Sequence, residues 1–175
     1  MAAHKIAPPK LRSVQDYVAT FGGVGLLPIM PGSYCSLLVA LPAAYGSLVA
    51  LWPTETMQMY YGAAFLVFTI IGTWSCAHVQ KNWGHDPSVV VIDEAAGMSL
   101  TLMFPMAYNG LALWATAVLL FRIFDVMKPW PMNLINDRTE AWAVMGDDLV
   151  AGLVAGFSTQ LVGAALLALG IGLAM

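Results

Sequence analysis

Apolar and polar positions alternate along this chain in long blocks. Five apolar stretches, over about 33–51, 58–77, 88–104, 111–126 and 148–173, are separated by short polar interruptions. Crossing a bilayer core takes ~20 apolar residues in a helix, so these blocks predict membrane-embedded helices. The third and fourth are short for that task and must include their charged ends or be shielded by neighbours. Ahead of them, Leu11, Val14, Val18 and Phe21 recur at helical spacing, with Arg12, Gln15 and Asp16 elsewhere. That pattern predicts a helix over 11–21 lying in the membrane interface. Residues 1–10, polar with Pro8-Pro9, read as a flexible tail and not as a secretory signal, because no uninterrupted apolar run follows. Glycines and prolines punctuate GGVGLLPIMPGS at 22–33, which predicts an ordered loop able to present backbone N–H groups to an anion. The fold class is therefore an all-α, polytopic membrane bundle in one domain over 1–175. It has about four to five embedded helices and an N-terminal interfacial one.

Composition agrees. The 175 residues are 59% hydrophobic and 10% charged, with a mean hydropathy of +0.75. Soluble domains are about 25% charged. The net charge of −3, without a basic cluster, points away from nucleic acid. Cys35 and Cys76 lack the spacing of a secreted scaffold and read as packed, free thiols. Pro42 lies inside the first span, where lipid-embedded helices tolerate it, and Gly152 with Gly156 offers the last span a close-packing face.

The cations set an orientation. All seven Lys and Arg fall in the tail and its adjoining segment, in the 78–87 loop, or in 122–138; the links at 52–57 and 105–110 have none. The positive-inside rule then places the N-terminus in the cytoplasm and the C-terminus outside. On that topology the glycine-rich loop, Asp93-Glu94, Arg122-Asp125-Lys128 and Asp147-Asp148 all gather at the cytoplasmic helix ends. The opposite face has only Glu55.

Five carboxylates beside a low-dielectric slab repel one another unless a cation sits among them. Oxygen ligation suits Mg2+, which also takes phosphate oxygens as ligands. Asp93, Glu94, Asp125, Asp147 and Asp148 are the candidate catalytic and metal-binding residues. Arg122, Lys128, Gly32 and Ser33 are candidates for holding phosphate, and His85 and Asp86 are accessory candidates. Each has a plainer reading: Asp147 as a helix cap, Arg122–Asp125 as an intrahelical ion pair, Lys128 as a snorkelling side chain, the histidines as structural. Intramembrane carboxylates are costly enough to favour function. A cysteine-phosphate loop, an Asp-x-Asp nucleophile and a Ser-His-Asp set are all missing, which leaves metal-assisted attack by water or, secondarily, by a carboxylate.

Four blocks, TFGGVGLLPIMPGS at 20–33, HDPSVVVIDEAAGM at 85–98, FRIFDVMKPWP at 121–131 and GDDLVAG at 146–152, together resemble the phosphatidylglycerophosphatase A family of bacterial membrane enzymes. The resemblance runs from about Ala19 to Gly156. It implies Mg2+-dependent removal of the terminal phosphate from phosphatidylglycerol phosphate, giving phosphatidylglycerol, at the cytoplasmic face of the inner membrane. It also implies that the five carboxylates form the site, with Arg122 and Lys128 beside them. One departure stands out: PGSYCS replaces the expected PGTxGS, with Ser33 for Thr and Cys35 for Gly. The alternative from another class is an ion-coupled transporter using the carboxylates as a cation site. A structural membrane subunit and a CDP-alcohol phosphotransferase are weaker rivals, the latter because its Asp-Gly…Ala-Arg pattern does not appear.

Overall fold

The computed structural model describes residues 9–84, 87–104, 111–130, 132–136 and 140–169. His85, Asp86, most of the tail and the final six residues lie outside these. Every regular element among the described residues is helical.

Ser13 opens α1 (Val14–Ala19). Its hydroxyl accepts the Asp16 N–H, and the Asp16 carboxylate accepts the N–H groups of Arg12 and Ser13 at 2.8 and 3.0 Å. This reciprocal capping shortens the helix expected over 11–21. Asp16 faces inward, towards His78 at 3.9 Å, while Val14 and Tyr17 are exposed. The loop after it holds a short 3-10 turn at Val24–Leu26.

The second helix, α2 (Pro31–Leu48), starts earlier than expected. Met30 turns left-handed at φ 48°, and Pro31 takes the first helical position, where its missing N–H costs nothing. Gly32 and Ser33 therefore belong to the first turn of α2 and not to a loop. The next helix, α3 (Thr54–Trp83), overruns the expected 58–77 at both ends and ends where Gly84 adopts φ 91°. His78 and Lys81, expected in a loop, sit on its last turns.

The central element is α4 (Ile92–Met103), nearly all of it buried. It packs against α2, α3, α5 (Leu111–Met127) and α7 (Ala141–Ala168). Its 12 residues span only ~18 Å, too short for a bilayer core. Residues 88–91 are not part of it: they turn, and the Val91 N–H donates to Ala19 O at 2.9 Å. The fifth helix matches its expected extent. Lys128 ends it at φ 41°, out of the right-handed region as the following Pro129 requires.

Two expectations need correction. The polar loop expected over 127–146 contains α6 (Met132–Asn136) and the first turns of α7, because Ala143, Val144 and Met145 are buried against the bundle. Asp147 and Asp148 thus lie inside α7, and a capping role for Asp147 is excluded. Among the described residues only α3 and α7 are long and apolar enough to cross a membrane, fewer than the four to five expected. Of the other apolar blocks, α4 owes its greasiness to burial among its neighbours.

Outward, large apolar side chains are exposed on α2 (Leu38, Leu41), α3 (Leu66, Ile70), α5 (Leu119) and α7 (Phe157, Leu161). An apolar belt of this extent marks a membrane-facing surface. Inward hydroxyls satisfy themselves: Ser99, Thr101, Ser36 and Thr159 each donate to the carbonyl four residues back.

Candidate active site

Four helix ends meet at one end of the bundle. The first turn of α4 brings Asp93 and Glu94, the last turns of α5 bring Arg122 and Asp125, and the second turn of α7 brings Asp147 and Asp148. The first turn of α2 lies against them. Asp93, Glu94 and Asp148 each offer an oxygen within 4.8 Å of the others, close enough to share one cation. The other two carboxylates point to cations of the chain itself. Arg122 lies 2.5 Å from Asp125 and 3.7 Å from Glu94, and Lys128 bonds Asp147 and lies 3.9 Å from Asp148. Asp93, Asp125, Asp147 and Asp148 are all buried.

The close approach has visible causes. Gly32 leaves no side chain where Glu94 sits: a Cβ there would collide with Glu94 Oε1 and meet the Arg122 guanidinium at 3.0 Å. Gly97 and Gly152 let α4 and α7 touch backbone to backbone, and the Thr101 hydroxyl donates to Gly152 O at 3.2 Å across the seam. That contact fixes Asp93 relative to Asp148. Gly156 meets Phe104, as the four-residue spacing on α7 predicts.

Beyond the end of α5, burial alone would lower the Lys128 pKa. The carboxylates of Asp148, Asp147 and Asp125 outweigh it and hold the ammonium above the ordinary lysine value. The site therefore carries two fixed positive charges beside a cluster of acids.

Donors and acceptors remain for a ligand. Glu94 Oε2 and Arg122 Nε are buried without a hydrogen-bond partner among the described residues. An orphaned carboxylate oxygen beside two further carboxylates fits a hard divalent cation, and an orphaned guanidinium N–H fits an oxyanion.

Of the residues expected to build the site, the structure gathers Asp93, Glu94, Asp125, Asp147, Asp148, Arg122, Lys128 and Gly32. Ser33 lies one position from this cluster, lining a groove between α2 and α5 with Arg122. His85 and Asp86 lie outside the described residues. Cys35 stands where the resembled family has glycine, and it was read as a packed, free thiol. It is fully buried, and its thiol donates to Val91 O at 3.0 Å, joining α2 to the start of α4. Gly97 was not singled out from the sequence, although a glycine inside an apolar helix block is the signal of a close approach.

The family model described as phosphatidylglycerophosphatase A matches residues 17–163. Phosphatidylglycerophosphatase A of Escherichia coli (strain K12) is 32% identical over 147 residues, covering 83% of this chain and 81% of that protein. The Haemophilus influenzae protein of the same name is 28% identical over 145 residues, with 79% and 87% covered. A Bacteroides thetaiotaomicron protein provisionally named as a phosphatidylinositol-3-phosphatase is 32% identical over 138 residues, with 78% and 85% covered. No solved structure matches.

Proposed function

This chain belongs to the phosphatidylglycerophosphatase A family and is a phosphatase, and on that premise we propose that it hydrolyses the terminal phosphomonoester of phosphatidylglycerol phosphate at the cytoplasmic headgroup level of a bacterial inner membrane. The product lipid is phosphatidylglycerol, which places the reaction in phospholipid biosynthesis. The observation that carries this reading is the carboxylate triad Asp93, Glu94 and Asp148 within 4.8 Å, beside Arg122 and Lys128, at one end of an apolar bundle.

Asp93, Glu94 and Asp148 would hold Mg2+, which when bound supplies positive charge against the phosphoryl oxygens. Asp125 and Asp147 act at one remove, each holding a cation of the chain in place. Arg122, with Nε unpaired, donates to a phosphate oxygen, and Lys128 adds a second charge. In the reaction a water oxygen bonds to phosphorus while the bond from phosphorus to the lipid oxygen breaks. The water's proton passes to a site carboxylate, which returns it to the departing lipid oxygen, so that the lipid leaves as the alcohol. The transporter alternative finds no support in the matched family or relatives.

The test is phosphate release by purified protein from a panel of phosphatidylglycerol phosphate, phosphatidylinositol 3-phosphate and phosphatidic acid. The second lipid is included because of the Bacteroides relative's name. Fastest release from phosphatidylglycerol phosphate, abolished by EDTA and restored by Mg2+, is expected. Release undiminished in EDTA would remove the metal, and no release from any lipid would remove the function.

A further inference from the structure

We propose that the groove between α2 and α5 seats an acyl chain of the lipid whose phosphate sits at Arg122, so that one lipid is read from headgroup to tail. This rests on the function proposed above. The groove encloses about 280 Å³. Along α5 its floor is Trp114, Val118 and Arg122, spaced four apart; across from them on α2 stand Ser33 and Leu37, also four apart. Among the described residues that line it, the charged and hydroxyl-bearing ones, Ser33 and Arg122, share one end. Everything beyond them is apolar. Arg122 lies 3.7 Å from Glu94, with its Nε and Nη1 buried, so this end of the groove abuts the carboxylate cluster.

From Arg122 to Trp114 the groove runs roughly 12 Å along α5. At the far end the Trp114 indole N–H donates to Ala40 O at 2.7 Å, tying α2 to α5 and keeping the cleft from collapsing. Leu37 is 43% and Leu119 60% exposed, so the side open to the membrane is apolar and a chain can enter laterally. A buried guanidinium beneath one end of an apolar trough complements an anionic headgroup joined to a hydrocarbon tail. A second protein copy would use the apolar part but leave Arg122 unanswered.

Ala115 lines the groove and is exposed, so Ala115→Trp fills the trough from its rim without entering the core. Wild type and variant are compared on two phosphomonoester lipids with one headgroup, a dipalmitoyl form and a water-soluble dihexanoyl form. The expected result is KM for the long-chain lipid raised roughly 10-fold or more, with kcat and the short-chain reaction within about twofold of wild type. Ile70→Trp, on the membrane side of α3, should change neither. Equal losses on both chain lengths, or none on either while wild type is active, would overturn the groove alone. Wild type inactive on both lipids overturns the parent reading, and this one with it.

Should Ala115→Trp fail to fold, Leu37→Trp serves the same comparison. Unaltered protein gives an independent readout. A lipid phosphomonoester with a diazirine near its ester end should label the α2 and α5 peptides at the groove, and a phosphate-free lipid with the same tail should label them much less. Equal labelling by both means ordinary boundary lipid and overturns the proposal.

Discussion

Glu94 is the residue whose environment best separates a working site from a structural ion pair. Its Oε2 has no hydrogen-bond partner among the described residues, and Arg122 stands 3.7 Å from its other oxygen. A carboxylate kept for stability would be fully paired. Glu94→Gln keeps size and removes charge. It should lower kcat by roughly 10²–10³, the scale of one electrostatic group at a reacting centre, and leave the melting temperature unchanged or raised. Near-normal turnover would exclude Glu94 from the chemistry.

Asp16 makes the opposite case. Burial raises its pKa, but the N–H groups of Arg12 and Ser13, the Ser13 hydroxyl and His78 outweigh this and leave it below the ordinary carboxylate value. A depressed folded pKa adds stability above the unfolded pKa, which is lost as pH falls through the folded one. Wild type should therefore be more stable than Asp16→Asn at neutral pH, with the two unfolding curves converging in strong acid. Activity should follow the folded fraction only. Charged residues at both places were legible in the sequence, because a carboxylate beside an apolar run is conspicuous. Which carboxylates face one another was not, since that depends on contacts between distant segments.

Among elements, the seam between α4 and α7 decides whether the site exists. A Cβ on Gly152 would run into the backbone of Gly97, and one on Gly97 would meet Asp148 O at 2.5 Å. Gly152→Ala should cost about 1–3 kcal/mol of stability, the scale of overpacking, and also weaken Mg2+ binding by moving Asp148 away from Asp93. A melting temperature and a Mg2+ titration on the same sample check both. Stability lost with Mg2+ affinity intact would sever the seam from the site.

The extents of α5 and α2 were close to legible, since an apolar run and its Pro boundary are local signals. The start of α7 was not. Residues 141–146 follow a charged stretch, and their helicity comes from the burial of Val144 and Met145 against other helices. That the third block is short for a crossing was legible, but that α4 is the buried centre of the bundle was not. Its Ala, Gly, Ser and Met run looks like any membrane block, and only its neighbours on every side identify it as a core.

At the scale of the whole molecule, the polar cluster occupies one end and an apolar belt surrounds the rest. The segregation of Lys and Arg predicts that the end carrying the site faces the cytoplasm. Reporter fusions at Met1 and Met175 should give cytoplasmic and external signals respectively. An external signal from Met1 would place the carboxylates on the other side of the membrane from the cell's lipid-synthesising enzymes.

The helices flanking the groove also differ in length from those behind it. The 30 residues of α3 reach ~45 Å, whereas α2 with 18 and α5 with 17 reach only ~26 Å. Against a hydrocarbon slab of ~30 Å, that flank is hydrophobically mismatched. Lipids beside it should sit in a local dimple, their headgroups drawn towards the carboxylates before any binding occurs. Bilayer thickness then becomes a control on rate. Turnover of one substrate at fixed surface density should be highest in bilayers near the length of α2 and α5, and should fall as the host lipid is lengthened. A rate indifferent to host thickness would mean that the protein leaves the surrounding membrane flat.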